Sequence, residues 1–348
     1  MDDGETESLL ELDGSAGGGQ LVRTALTLSA ATNTPFRMIG IRGARPNPGL
    51  RHQHLAAVRA VASVCGATVD GAELGSETLT FRPDRLAGGR HEIEVGTAGS
   101  VSLVFDAVVP LALALDAPVG LTARGGTDVK WSPPMPYYRR VKLPLLRQWG
   151  LHAAVDLAET GYYPAGGGEA TLWLAPSSPP PLELTERGSL DGARVHAKAS
   201  ADLADRGVAD RLADAAVERL EAESSSELSV GERTTAAVET ASPGAGVTVA
   251  LDFAETTAGF DALGERGRPA AAVGREAADA ALAFLDETEA AVDAHLADQL
   301  VVLLALAGGL ATIPRVTDHV ETSLDLVAAF DRPVTLDDGD PSRLRRER

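Results

Sequence analysis

From Gly14 to Val69 there is no aspartate or glutamate, in a chain whose 348 residues include 50 of them. The same window carries Arg23, Arg37, Arg42, Arg45, Arg51 and Arg59, with His52 and His54, and near its start runs three consecutive glycines, Gly17–Gly19. That combination suits anions, because glycines let backbone N–H groups approach phosphate oxygens and guanidinium forks bind those oxygens bidentately. A buried segment that only excluded charge would exclude arginine too, so the gap points to phosphate binding. Val129 to Leu151 also lacks acid and carries Lys130, Arg139, Arg140, Lys142 and Arg147, a weaker form of the same signal. Among the seven histidines, His91, His152 and His196 read as structural side chains.

Stepping outward to the elements that must position these groups, three segments share one pattern: a small or polar turn, an apolar helix and a short strand. They run from Gly17 to Ile41, from Gly96 to Ala123 and from His295 to Val316. After the first two come a second helix and paired strands, at His54–Val64, Ala67–Asp70 and Thr78–Phe81, and at Tyr138–Trp149, Ala153–Leu157 and Glu169–Leu174. The periodicity predicts an α+β fold built from repeated units of roughly 80 residues, sheets on one side and helices on the other. PSSPPP at 176–181 reads as a linker. Beyond it a strand at Ala193–Ala199, an acidic helix carrying Asp202, Asp205, Asp210, Asp214, Glu218, Glu221 and Glu223, and strands near Thr234–Glu239 and Val247–Phe253 predict a smaller βαββ domain inserted into the larger one.

The expected organisation is a large domain over 1–182 and 265–335, an inserted domain over 183–264, and a flexible tail over 336–348. The start, MDDGETES, has no apolar core and does not read as a signal peptide. The longest apolar run, Leu300–Ile313, is shorter than the roughly 18 residues a spanning helix needs. A lone cysteine, Cys65, excludes an intrachain disulfide and a cysteine zinc cage. A net charge of −19, with Lys130, Lys142 and Lys198 the only lysines, is the surface expected of a halophile's protein in a reducing cytoplasm without membrane contact. It disfavours a nonspecific nucleic-acid coat but leaves local sites open.

Taken alone, GGGQ (17–20), GGTD (125–128) and PAGGGE (164–169) match neither a Walker loop nor a dinucleotide turn. Taken together with LDGSAGGGQLVRTALTLS (12–29), IRGARPNPGLRHQHLAAVRA (41–60), GAELGSETLTFRP (71–83), GTAGSVSLVFDAVVP (96–110), GGTDVKWSPP (125–134), GYYPAGGGEA (161–170), SPGAGV (242–247) and HLADQL (295–300), the chain resembles the RNA 3′-terminal phosphate cyclases, in family order from residue 12 to about 330. The resemblance implies three βαβαββ repeats forming a large domain, with a smaller inserted domain. It also implies a reaction in which ATP, with a divalent metal such as Mg or Mn, adenylates a histidine. AMP then passes to an RNA 3′-phosphate, and the vicinal 2′-hydroxyl closes a 2′,3′-cyclic phosphodiester.

The family places its nucleophile in a motif H-x-x-T-N, which His319 matches in DHVETS with Ser323 in place of Asn. By the same resemblance His295, Leu296, Ala297, Asp298 and Gln299 line the nucleotide, and Asp106 stands where a relative contacts ATP through Gln. Arg23, Arg42 and Arg45, with Gln53 and His54, match the family's phosphate site. The family's glutamate before the glycines is absent, Ser15-Ala16-Gly17 running straight in. That leaves the metal ligands unassigned, with Asp13 the nearest carboxylate. RNA with a 3′-phosphate end and ATP are the implied partners, and a homodimer is left open. Competing readings are a noncatalytic ribosomal-RNA-processing relative and an enolpyruvyl-transferase-like enzyme.

Overall fold

The computed structural model describes residues 9–222 and 228–347; MDDGETE, Ser8, Glu223 and Arg348 lie outside them. Strand β1 (Leu10–Asp13), helix α1 (Gly19–Thr32), β2 (Phe36–Ile39), α2 (His52–Cys65), β3 (Thr68–Asp70) and β4 (Leu79–Arg82) form one βαβαββ unit. Its sheet has the order β1-β2-β4-β3, with β1 parallel to β2 and the remaining pairs antiparallel. The second unit repeats the plan with β5 (Gly89–Glu94), α3 (Val101–Val108), β6 (Val119–Gly125), a helical run of α4 (Met135–Tyr137), a wide turn and α5 (Leu143–Trp149), then β7 (Ala153–Glu159) and β8 (Gly168–Leu174). Its order, β5-β6-β8-β7, is the same.

The third unit opens with β9 (Leu182–Leu184) and is interrupted there. The insertion comprises β10 (Leu190–Ser200), α6 (Val208–Ala222), β11 (Val230–Val238), β12 (Ala245–Phe253), β13 (Thr257–Leu263) and α7 (Ala270–Glu287). The third unit resumes with α8 (Ala294–Ala307), β14 (Gly309–Ile313), α9 (Asp318–Ala329), β15 (Thr335–Asp337) and β16 (Ser342–Arg346), giving the sheet order β9-β14-β16-β15.

Three boundaries differ from the sequence expectation, the first being the start of the insertion, which follows β9 rather than falling at 183 because Glu183 and Leu184 pair with β14. The inserted domain does not end at 264: Val273, Ala277, Ala281 and Phe284 of α7 enter the same core as Val195, Leu212 and Val249. One helix cannot cover a four-stranded sheet, and the alanine face of α7 lies alongside α6 to complete the layer. The C-terminal segment 336–348 is not a frayed tail over its described length, since Ser342–Arg346 pairs antiparallel with β14. Ser342 and Leu344 point into the core while alternate arginines face out, a period too short to stand out in an arginine-rich string.

Burial explains why α1 is central. Leu21, Val22, Ala25, Leu26, Leu28 and Ala30 are all buried, and the helix packs against α2, α3, α8 and α9. The two bodies meet where Tyr137 and Val141 pack on Ala250. Lys198 of the insertion donates to Asp128 (2.8 Å) and Thr160 (3.1 Å) of the large domain, pinning the contact. Cys65 is buried, and its thiol is pushed up to about 11 by desolvation. Among the described residues no helix is long and apolar enough to cross a membrane.

Candidate functional site

Helices α1, α3, α8 and α9 converge on a cavity of about 340 Å³ lined by Gln20, Arg23, Asp106, Lys142, His295, Asp298, Gln299 and His319, with Trp131 and Pro133 also at its wall. Residues scattered from 20 to 319 in the chain are thus brought to one place. His319 sits in the first turn of α9, whose start is capped by Thr317 accepting from Val320 N at 3.1 Å. The Thr317 hydroxyl in turn donates to Asp298 at 2.6 Å, tying α9 to α8. On the other side Gln20 Nε2 donates to Ser323 Oγ (2.8 Å) and to the His319 carbonyl (3.3 Å). Ser323, standing for the family's Asn, is therefore fully buried and engaged.

His295 is half-exposed on the first turn of α8, its Nε2 3.4 Å from Asp261 of the insertion and its ring edge-on to Tyr137. Burial works against its charge, but the Asp261 carboxylate, with Asp293 and Asp298 nearby, raises it to about 9. That favours the protonated form of His295 at neutral pH. Asp298 is itself raised by burial, against the Thr317 bond and the nearby His319, His295 and Arg315. Gln299 Nε2 donates to Asp106 at 3.2 Å. Leu296 and Ala297 are fully buried on the core side of α8, so their side chains do not line the cavity.

Asp106 anchors a network that sequence reading did not assemble. It accepts from Lys142 Nζ at 2.5 Å, from Tyr138 OH at 2.8 Å and from Gln299. Burial lowers Lys142, with Asp106 opposing that shift. Arg23 is lowered by burial and steadied by the Asp106 charge. The acid-free second stretch hinted at Lys142, but nothing in the sequence linked it to position 106. Asp293 was also missed: it caps α8 through Leu296 N (3.0 Å) and accepts from Tyr137 OH (2.8 Å) and Gly259 N (2.9 Å), joining insertion, helix and cavity wall.

A second cluster gathers around the start of α1, next to Gln20 and Arg23. The helix begins at Gly18 with no side-chain cap and no acid in its first turn, which leaves donor N–H groups and the positive end of the helix dipole unmatched by protein. Arg45 reaches Gly18, at 3.6 Å from where a Cβ would stand, and a Cβ on Gly19 would meet His54 Nε2 at 1.9 Å. His54 is buried and depressed to about 3 by desolvation and by Arg23, Arg42 and Arg51. It is neutral, and because its Nδ1 accepts from Arg51 N at 3.0 Å, its proton sits on Nε2. Gln53 Nε2 is 3.5 Å from that nitrogen. Arg42 directs Nη1 to the carbonyls of Asn47 (2.9 Å) and Gly49 (2.8 Å), so that part of its guanidinium clamps a loop. No carboxylate among the described residues forms an ion pair with Arg42, Arg45 or Arg51, and Arg23 has only the Asp106 charge nearby. Arg42, Arg45 and Arg51, none of them in an ion pair among the described residues, beside an uncapped helix start are the electrostatic counterpart of an anion.

Among the described residues no group of three or more His, Cys, Asp and Glu could hold an ion. Asp13 is turned to its own loop, accepting from Ser15 N at 2.8 Å, and is lowered by that bond.

Comparison with known proteins adds an independent line. A family model described as RNA 3′-terminal phosphate cyclase matches residues 15–333. A protein of Halobacterium salinarum named RNA 3′-terminal phosphate cyclase is 48% identical over 340 residues, covering 94% of this chain and 97% of that protein. Relatives of the same name from Methanopyrus kandleri and Pyrococcus furiosus are 40% and 38% identical, over 96% and 92% of this chain and 97% and 93% of theirs. Among solved structures, the enolpyruvyl transferase NikO from Streptomyces tendae aligns at a TM-score of 0.27 and 19% identity over 47% of this chain and 32% of that one, a likeness that carries no argument.

Proposed function

The chain belongs to the RNA 3′-terminal phosphate cyclase family, and on that footing we propose that it converts an RNA 3′-terminal phosphate to a 2′,3′-cyclic phosphodiester at the expense of ATP, through an adenylate on His319. A ring nitrogen of His319 attacks the α-phosphorus of ATP; a P–N bond forms and pyrophosphate leaves. An oxygen of the RNA 3′-phosphate then attacks the same phosphorus, the P–N bond breaks, and the histidine is restored. The 2′-hydroxyl attacks the 3′-phosphorus, loses its proton, and AMP departs. Converting the phosphate to a mixed anhydride supplies the leaving group that a phosphate dianion lacks, and the histidine divides one difficult displacement into easier ones.

The observation that carries this reading is the single cavity uniting His319 with Arg23, His295, Asp298 and Gln299. Between the two histidines, the preference of His295 for its protonated form favours His319 as nucleophile and suits His295 to a phosphate oxygen. Arg23 links this cavity along α1 to the guanidinium cluster around Gly18 and His54, a fitting place for a terminal phosphate. Mg or Mn would accompany the nucleotide's phosphates, and no step is assigned to it. The retained His319 favours an enzyme over a noncatalytic relative.

The test uses an RNA oligonucleotide labelled at its 3′-phosphate. Incubation with ATP should render the label resistant to phosphatase, and a 3′-hydroxyl competitor should bind much more weakly even in molar KCl, where counterion release contributes little. Phosphatase-sensitive label after prolonged incubation, or equal binding of both ends, contradicts the proposal.

A further inference from the structure

A second and larger cleft, of about 810 Å³, lies between the large domain and the insertion, walled by the 136–140 helical turn, the end of β7, and β10 and β11. Its volume falls within the range of about 300–1,000 Å³ usual for ligand sites. Nothing in the reaction described above uses it.

Three observations bear on what it takes. His196 is 6% exposed and its Nδ1 lies 2.7 Å from Thr234 Oγ1, while its buried Nε2 has no partner although the residue lines the cleft. That nitrogen is shut off from solvent, so the ring contributes to the wall of the cleft rather than a reachable polar atom. Arg139 has no partner among the described residues, and Arg140 is held only by an exposed contact to Glu232 at 3.5 Å. The lining carries Arg139 and Arg140 against Glu159 and Glu239, while Lys198 is already paired with Asp128 at 2.8 Å, so Arg139 is the lining cation left without a carboxylate among the described residues. Ala197 and Ala236 keep the floor low, and the lining has no Phe, Tyr or Trp, so it suits a polar backbone better than stacked bases.

The cleft also adjoins the reaction cavity. Trp131, Pro133 and Lys142 line the cavity, whereas Pro136, Arg139 and Arg140 of the same run line the cleft. Tyr137, between them, bonds to Asp293, the cap of the helix bearing His295.

We propose that the cleft between β10–β11 and the 136–140 turn holds the sugar-phosphate backbone of the RNA nucleotides upstream of the 3′ end, with Arg139 and Arg140 on phosphates. This rests on the reading of the chain as acting on RNA ends. The insertion is then a substrate-holding arm, indifferent to base sequence.

The test compares wild type with Arg139→Ser/Arg140→Ser and with Ala236→Glu, an exposed floor position, on a dinucleotide 3′-phosphate and on a long single-stranded RNA 3′-phosphate at one fixed salt concentration. In both variants the ratio of kcat/KM for long over short substrate should fall about tenfold, equivalent to about 1.4 kcal/mol. Fluorescence anisotropy of the labelled long strand should show the matching loss of binding. If the ratio and the anisotropy are both unmoved, the cleft does not hold RNA, and that is the result expected if it served a protein partner instead. If wild type cyclises neither substrate, the functional reading fails, while the anisotropy still decides whether the cleft binds RNA.

Discussion

Replacing Asp106 by alanine should cost far more than one hydrogen bond. Lys142 and Asp106 have side chains 3% and 9% exposed and lie 2.5 Å apart. Tyr138 OH adds a 2.8 Å bond to the carboxylate, and Lys142 Nζ lies over the Tyr138 ring at 4.5 Å from its centre. Removing the carboxylate leaves an ammonium in a site that already lowers its affinity for a proton. Breaking a buried pair in this way costs about 3–5 kcal/mol. Replacing both, as Asp106→Leu/Lys142→Met, removes the stranded charge and should recover stability to within about 1 kcal/mol of wild type. Urea unfolding of the two single variants and the double variant measures the coupling directly. The pH dependence has a fixed sign: in Asp106→Ala the folded-state Lys142 binds its proton less tightly than in the unfolded chain. Stability therefore rises with pH until the unfolded-state lysine also titrates. Single variants each costing under about 1 kcal/mol, or a double variant equal to their sum, would refute the assignment of this pair as a buried and desolvated unit.

Other outcomes follow from the geometry. Gly19→Ala forces a Cβ against the buried His54 ring and should lose about 1–3 kcal/mol, whereas Gly231→Ala, with open space around it, should be close to neutral in the same melt. His54 is depressed from 6.5 to about 3, so its contribution is complete above 6.5 and drains away as pH falls towards 3. Urea midpoints between pH 6.5 and about 5 should therefore decline less steeply in His54→Gln than in wild type, and identical slopes would contradict the burial argument. Gln20→Ala frees the Ser323 and His319 tether and should slow adenylation about ten- to a hundredfold, with little change in melting temperature.

Much of this site could be read before any coordinates, because its signals are local. The acid-free arginine window and the glycine run are composition signals within one βαβα stretch, the glycines opening α1 and Arg42, Arg45 and Arg51 lying on the loop into α2. The apolar helix followed by a strand recurs three times because each unit must cover its own sheet. What escaped detection depends on long-range packing. Asp106 meets Lys142 across 36 positions, and Asp293 meets Gly259 across 34, with no pattern in either neighbourhood to announce it. Arg42 matches a phosphate ligand by position, yet the loop it closes takes one of its nitrogens. Helix α7 carries the same alanine-rich face as the helices of the large domain, so only its contact with α6 reveals which sheet it covers. His196 read as a structural histidine, and it is a buried one, its Nδ1 2.7 Å from Thr234 Oγ1.

The measurement that bears most directly on the central claim is covalent labelling with α-labelled ATP in the absence of RNA. The account predicts an acid-labile, base-stable adenylate that is lost in His319→Ala, retained in His295→Ala, and discharged when RNA bearing a 3′-phosphate is added. Label that survives His319→Ala, or that disappears only in His295→Ala, would contradict it.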